Sequence, residues 1–380
     1  MDPDLTALLS SLVATDSVNP SLVAGGAGEG EVVGVIEAWA AGEGALEVER
    51  LEATAGRPSV LVRARGTGGG RTLLLCGHVD TVNVEGMEAP FTPRVEGDRL
   101  YGRGAYDMKA GVAAALIAAR EAARLGLRGD VVVACVADEE HASLGVQEAL
   151  RHVRANAAVV TEPTELELAV AHKGFVWSEV EVTGRSAHGS RPHLGVDAIA
   201  KMGAVLNDLA ELDRALGAPD RLHPLLGRAS VHASTIAGGV ELSSYPARCT
   251  LGLERRTLPG ETAEQVAAEL DALLERCRGA DADFTATHRR LLVREPFEID
   301  ASHELVAATR AAAAEVTGHA PTVDGVSYWA DSAFIAAAGI PTVLFGPAGE
   351  GAHAVEEWVS LASTDAVART LTGLAARFCA

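Results

Sequence analysis

Basic residues are in short supply in this chain. Its 32 Lys and Arg face 52 Asp and Glu, a formal net charge of -20. Nucleic acid and anionic membrane surfaces are therefore repelled, and neither is expected as a partner. No run of about 18 apolar residues is free of charge, which argues against a membrane-spanning helix. The opening Met-Asp-Pro-Asp-Leu-Thr is acidic and lacks the basic start of a secretory signal, so a cytoplasmic protein is expected. Cysteines number only five, at wide spacing: Cys76, Cys135, Cys249, Cys277 and Cys379. An odd, scattered set fits reduced thiols and not a disulfide framework. Cys76 and Cys135 fall inside apolar runs, where a thiol either packs or ligates a metal. Internal repeats, low-complexity tracts and long linkers are also missing.

What is present is ample apolar material. Hydrophobic residues make up 48% and charged residues 22% of 380 positions, the profile of a globular protein too long for one ordinary core. Two domains are expected. Up to residue 173 helical and strand patterns alternate. Leu5 to Ala14, Glu31 to Ala41 and Lys109 to Leu125 have helical spacing. Ser59 to Ala64, Arg71 to Gly77, Gly129 to Ala137 and Ala157 to Thr161 read as strands, with Gly68-Gly-Gly-Arg as a hairpin turn between the first two. Apolar strands alternating with helices predict a mostly parallel sheet covered on both faces.

From Gly174 the pattern changes. Strand periodicity at Phe175–Val182, Ala229–Ile236, Arg248–Arg256 and Asp283–Val293 is interrupted by helical stretches at Gly195–Leu216 and Thr262–Cys277. The order β-α-β-β-α-β is that of a ferredoxin-like α+β domain. After residue 293 the α/β pattern resumes. The expected organisation is a catalytic domain of residues 1–173 and 294–380, with residues 174–293 inserted as a dimerisation or lid domain.

Ionisable residues cluster where core strands end. His78 and Asp80 follow one apolar run, Asp138, Glu139 and Glu140 a second, and Glu162 a third. Asp107 precedes a helix, and His353 follows the glycine-rich Gly346-Pro-Ala-Gly-Glu-Gly-Ala. Singly, each has an ordinary use. His78 and Asp80 share a face and could be a hydrogen-bonded pair, Asp107 could cap a helix, and Glu139-Glu140 could be a solvated acidic turn. Together they have metal-ligand chemistry: imidazoles that bind through one nitrogen, and a carboxylate able to bridge two cations. Of two adjacent glutamates, one can ligate while the other reaches bound water as a base.

The segments Gly77-His-Val-Asp-Thr-Val, Gly102-Arg-Gly-Ala-Tyr-Asp-Met-Lys-Ala-Gly, Asp138-Glu-Glu, Glu162-Pro-Thr and His353 with Glu357-Trp-Val closely resemble one family of co-catalytic zinc hydrolases. It contains acetylornithine deacetylase, succinyl-diaminopimelate desuccinylase, aminoacylase and carboxypeptidase G. The resemblance covers nearly the whole chain and implies a zinc-exopeptidase-like fold with an inserted ferredoxin-like domain. It implies two divalent metal ions, zinc foremost and cobalt or manganese as alternatives. Asp107 would bridge them, His78 and Glu162 would hold one, and Glu140 and His353 the other. Glu139 would be the general base, and Asp80 would orient or polarise His78.

Within the inserted domain, Gly184-Arg-Ser-Ala-His188 resembles the family segment whose histidine reaches a neighbouring subunit's site and stabilises the oxyanion. Arg256 matches the arginine that grips the substrate α-carboxylate. Ser243 stands where the family often has asparagine, which puts the oxyanion contact there in question. Asp331 and Ser332 match a supporting loop, and His172 is placed at the domain junction.

The resemblance implies a homodimer cleaving the amide bond of a small N-acyl amino acid, with acetylornithine deacetylation favoured. Desuccinylation and carboxypeptidase or dipeptidase action are rivals. A catalytically silent ligand-binding protein of the same fold is the non-enzymatic alternative.

Overall fold

The computed structural model describes residues 2–380, which divide into two compact units. The first comprises residues 2–170, 299–324 and 330–380; the second comprises Ala171–Glu298 and Gly325–Trp329. The short return at 325–329 into the second unit lies outside the linear stretch 174–293.

At the centre of the first unit, Val131–Val136, Leu73–His78, Ala157–Val160 and Thr342–Leu344 run side by side in parallel. Every residue of these strands is buried, which is why they read as unbroken apolar runs. Leu46–Leu51 and Ser59–Ala64 extend one edge antiparallel. The helices Ala110–Leu125, Leu361–Phe378 and Glu304–Thr317 pack in one layer, while Leu144–His152 and Ser332–Ala337 form another group against the strands. The centre of the sheet is parallel, as expected, and the pairs flanking it are antiparallel.

One local expectation is overturned. Gly68-Gly-Gly-Arg does not close a hairpin, because Val131–Val136 inserts between Ser59–Ala64 and Leu73–His78. The glycines serve that insertion. A Cβ on Gly70 would lie 2.2 Å from the Gly129 nitrogen. The Gly66 N–H donates to Asp130 Oδ1 at 2.9 Å, and Thr67 and Gly68 donate to the Leu127 and Arg128 carbonyls. The loop is shaped to let another chain segment enter the sheet.

The second unit has the strand order Ser230–Gly238, Arg248–Thr257, Gly174–Thr183, Thr285–Arg294, all antiparallel. Helices Ala198–Leu216 and Ala263–Ala280 share one core with a face of this sheet. The second helix starts with a capping box between Thr262 and Gln265, satisfying two otherwise orphaned amides. This is the expected ferredoxin-like order.

Candidate metal centre

Because three adjacent strands are parallel, their carboxyl ends open on the same edge, where ligands gather in α/β sheets. His78 ends Leu73–His78, Glu139 and Glu140 follow Val131–Val136, and Glu162 follows Ala157–Val160. Asp107 comes from the turn before helix Ala110–Leu125. The start of that helix lies against the Thr161 backbone: a Cβ on Gly111 would sit 2.0 Å from the Thr161 oxygen. His353, at φ 61°, comes from the chain between Gly349–Glu350 and Trp358–Ser360. The peptide bond between Asp107 and Met108 is cis.

The side chains converge. Asp107 presents Oδ1 to His78 Nε2 at 3.2 Å and Oδ2 to His353 Nε2 at 3.3 Å. His353 Nε2 also meets Glu140 Oε1 at 3.2 Å, and His78 Nε2 lies 3.8 Å from Glu162 Oε1. Potential ligand atoms of His78, Glu139 and Glu162 fall within 4.8 Å of one another, as do those of His78, Asp107 and Glu140. Glu139 therefore stands as close to this cluster as the residues expected to be ligands.

Asp80 is engaged differently from the simplest reading of His-x-Asp. His78 Nδ1 pairs with the backbone oxygen of Asp80 at 2.9 Å, while the Asp80 carboxylate is 3.8 Å away. That carboxylate accepts the backbone N–H groups of Glu139 at 3.1 Å and Glu140 at 3.3 Å. It thus holds the acidic turn as well as lying beside the imidazole.

The electrostatics call for positive charge. Burial pushes Glu139 and Glu162 well above the usual carboxylate range, and His78 only partly offsets neighbouring carboxylates, Asp331 among them. Burial likewise raises Glu140, against the pull of His353. Burial also opposes ionisation of Asp107, but hydrogen bonds from His353 and His78 prevail and hold it below its ordinary value. Contacts with Asp107 and Glu140 push His353 up to about 10. Burial works against a charged His78, yet Asp107 and Glu162 hold its pKa well above normal. Protons here stand in for cations: a set of oxygen and imidazole donors this crowded fits hard or borderline divalent ions.

Asp331 and Ser332 are buried in the first unit, and the remaining candidates lie in the second. Gly189 N–H donates to the Ser243 oxygen at 2.7 Å, and His188 forms a backbone bridge with Ser244, so His188 and Ser243 are neighbours. His188 Nδ1 pairs with Ser190 Oγ at 2.8 Å. Arg256 stacks over Phe175, 5.0 Å from the ring centre, and donates through Nε to Glu254 at 2.6 Å. His172 is buried in the same unit against Phe297 and Trp329. Sequence reasoning assigned no role to Asn19, Arg57, Arg103 or Glu357, which brace the cluster. Arg103 and Glu357 were visible only as parts of motifs.

Residues 74–377 match Peptidase family M20/M25/M40. The chain belongs to this family and is a metal-dependent hydrolase. It is similar to acetylornithine deacetylase from Proteus mirabilis, 29% identical over 99% of this chain and 97% of that one. It is also similar to N-formyl-4-amino-5-aminomethyl-2-methylpyrimidine deformylase from Bacillus subtilis, 28% identical over 86% of this chain and 85% of that one. Its fold resembles that of a dinuclear metal-binding peptidase of the M20 family from Bacillus subtilis, with a TM-score of 0.77, 16% identity, and 99% and 98% of the two chains covered.

Proposed function

We propose that this protein is a two-metal amidohydrolase that cleaves an N-acyl amino acid, with an acetylornithine-type substrate preferred. The observation carrying this reading is the Asp107 carboxylate, which turns one oxygen to His78 and the other to His353. That is the posture of a bridging ligand. His78 and Glu162 would hold one ion and Glu140 and His353 the other, with zinc the first choice. When bound, such ions polarise the amide carbonyl and acidify water.

Glu139 takes the proton of the attacking water and passes it to the departing amine nitrogen. Its place beside the cluster supports this: potential ligand atoms of Glu139, His78 and Glu162 lie within 4.8 Å of one another, within reach of a water held there. Asp80 holds the Glu139–Glu140 turn and the His78 side of the site. Arg256 pairs with the substrate carboxylate, its outer guanidinium nitrogens directed by the Glu254 contact. His188, contributed by a second copy of the chain, donates to the developing oxyanion, with Ser243 beside it as the shorter replacement for the family's asparagine. Residues 174–293 act as the dimerisation and lid domain. The strand Ser230–Gly238, exposed along most of its length and followed by exposed Val240 and Leu242, supports that role. The acidic net charge and the five free, buried cysteines support a cytoplasmic setting.

The test is a panel of N-acetyl, N-succinyl and dipeptide substrates assayed with zinc, cobalt and manganese. Release of acetate from N-acetylornithine at the highest kcat/KM is expected. A preference for succinyl or dipeptide substrates would move the assignment within the family. Metal and ligand binding without any cleavage would make the protein a silent binder.

A further inference from the structure

Behind the Glu139–Glu140 turn lies a polar cluster of which the proposed chemistry uses only Asp80. Asn19, Glu29, Asp80 and Asp138 are wholly buried and Arg57 nearly so. Asn19 Nδ2 donates to Asp80 Oδ2 at 2.8 Å and to Asp138 Oδ1 at 3.0 Å. Its Oδ1 accepts from the Ser21 N–H at 2.9 Å and from Arg57 Nη2 at 3.2 Å. Every hydrogen-bonding position of the amide is engaged, so its orientation is determined by its partners.

Arg57 is anchored in turn. Its Nε and Nη2 donate to the two Glu29 oxygens at 2.8 and 2.7 Å, and Nη2 also reaches Asp138 Oδ1 at 2.7 Å. Two carboxylates thus share one guanidinium. Asp80 and Asp138 both face the Asn19 amide, which gives each a donor. Both carboxylates hold the next stretch of chain: Asp80 takes the Glu139 and Glu140 amides, and Asp138 Oδ2 takes the Ala142 amide at 3.2 Å. Asp138 itself has φ 67°, a left-handed conformation that requires support from its surroundings.

We propose that Asn19, anchored through Arg57 and Glu29, is a positioning residue that sets the Asp138–Glu140 turn and so aims Glu139 and Glu140. The proposal rests on the roles given above to those two glutamates. Asn19 acts through Asp80 and touches neither substrate nor metal. Residues that orient ligands in this way typically affect metal affinity or activity by about 10–100-fold.

The experiment is a double-mutant cycle of Asn19→Ala and Asp80→Ala, with Asn19→Asp as an isosteric variant lacking both donors. Three quantities are read: zinc affinity by competition with a chelating dye, kcat and KM for the best substrate, and thermal unfolding. A fall of about 10–100-fold in zinc affinity or kcat is expected for Asn19→Ala, with KM little changed. The same substitution should add little when Asp80 is already Ala. A folded Asn19 variant with wild-type zinc affinity and kcat overturns the proposal, and so does an equal loss in both backgrounds. If neither Asn19 variant folds, Arg57→Lys is measured: a smaller loss in the same quantities is expected, and wild-type values overturn the role. Wild-type protein that neither binds zinc nor cleaves any substrate of the panel would defeat the reading of the site itself. An active wild type with silent Asn19 variants defeats only this positioning role.

Discussion

Glu357 accepts the backbone N–H of Asp107 on Oε1 at 3.0 Å, across 250 residues of sequence. The same oxygen takes the Tyr106 N–H at 2.8 Å, while Oε2 takes the Gly104 N–H at 3.0 Å and Arg103 Nη1 at 2.7 Å. One buried carboxylate therefore shapes the turn that presents Asp107. Its partner Arg103 also reaches the Ala354 oxygen at 2.9 Å, next to His353. The supports of Asp107 and His353 are thereby joined.

Glu357→Ala leaves Arg103 buried without its carboxylate and frees three amides. A stability loss of about 3–5 kcal/mol is expected, as for other broken buried ion pairs. Glu357→Gln keeps an acceptor and should cost less. Thermal unfolding of metal-free protein measures both, and an unchanged melting temperature for the alanine variant would contradict the role assigned to Glu357.

Glu139→Ala should lower kcat by about 10²–10⁴-fold, the range for loss of a general base, with metal content nearly intact. Its carboxylate lies close enough to His78 and Glu162 to be a ligand, so metal analysis is the deciding measurement. Loss of metal together with activity would make Glu139 a ligand.

Arg256→Ala should weaken substrates bearing a free α-carboxylate by at least about tenfold in kcat/KM, since a charged hydrogen bond contributes about 1.5–3 kcal/mol. Amidated analogues should be affected far less. Equal losses on both would remove Arg256 from carboxylate recognition.

Metal binding should release protons at pH 7. In the metal-free protein His353 titrates at about 10, above its unfolded value of about 6.5. Its stabilising contribution is complete below the unfolded pKa and is lost as pH rises through the folded one. Glu139, Glu140 and Glu162, also raised, act in the same direction: the folded state holds more protons than the unfolded, so stability falls with rising pH. Buried Lys109, lowered to about 7, opposes this above neutrality. A cation replaces the site's protons, so apparent zinc affinity should rise with pH. Calorimetry in buffers of different ionisation heat counts the protons released, and a count of zero would contradict the prediction.

Much of the site was legible because its residues close apolar runs. His78, Glu139, Glu140 and Glu162 follow strands whose burial on both faces is written in their composition. Asp107 and His353 stand on irregular segments, and only the wider motif marked them. The hairpin at Gly68-Gly-Gly-Arg was misread because glycine signals backbone freedom without saying whether the chain turns or makes room. Asn19, before Pro20, carries no local mark at all.

The linear chain by itself determined the alternation of elements, the switch of pattern near residue 174 and the identities of the donor groups. These depend on local periodicity and side-chain chemistry. Only the tertiary structure decided that Val131–Val136 would separate Ser59–Ala64 from Leu73–His78, that Asp80 would hold the Glu139–Glu140 turn, and that Glu357 would carry Asp107. Such pairings join distant positions because buried amides and charges must find partners wherever packing brings them, and no spacing along the chain records that choice.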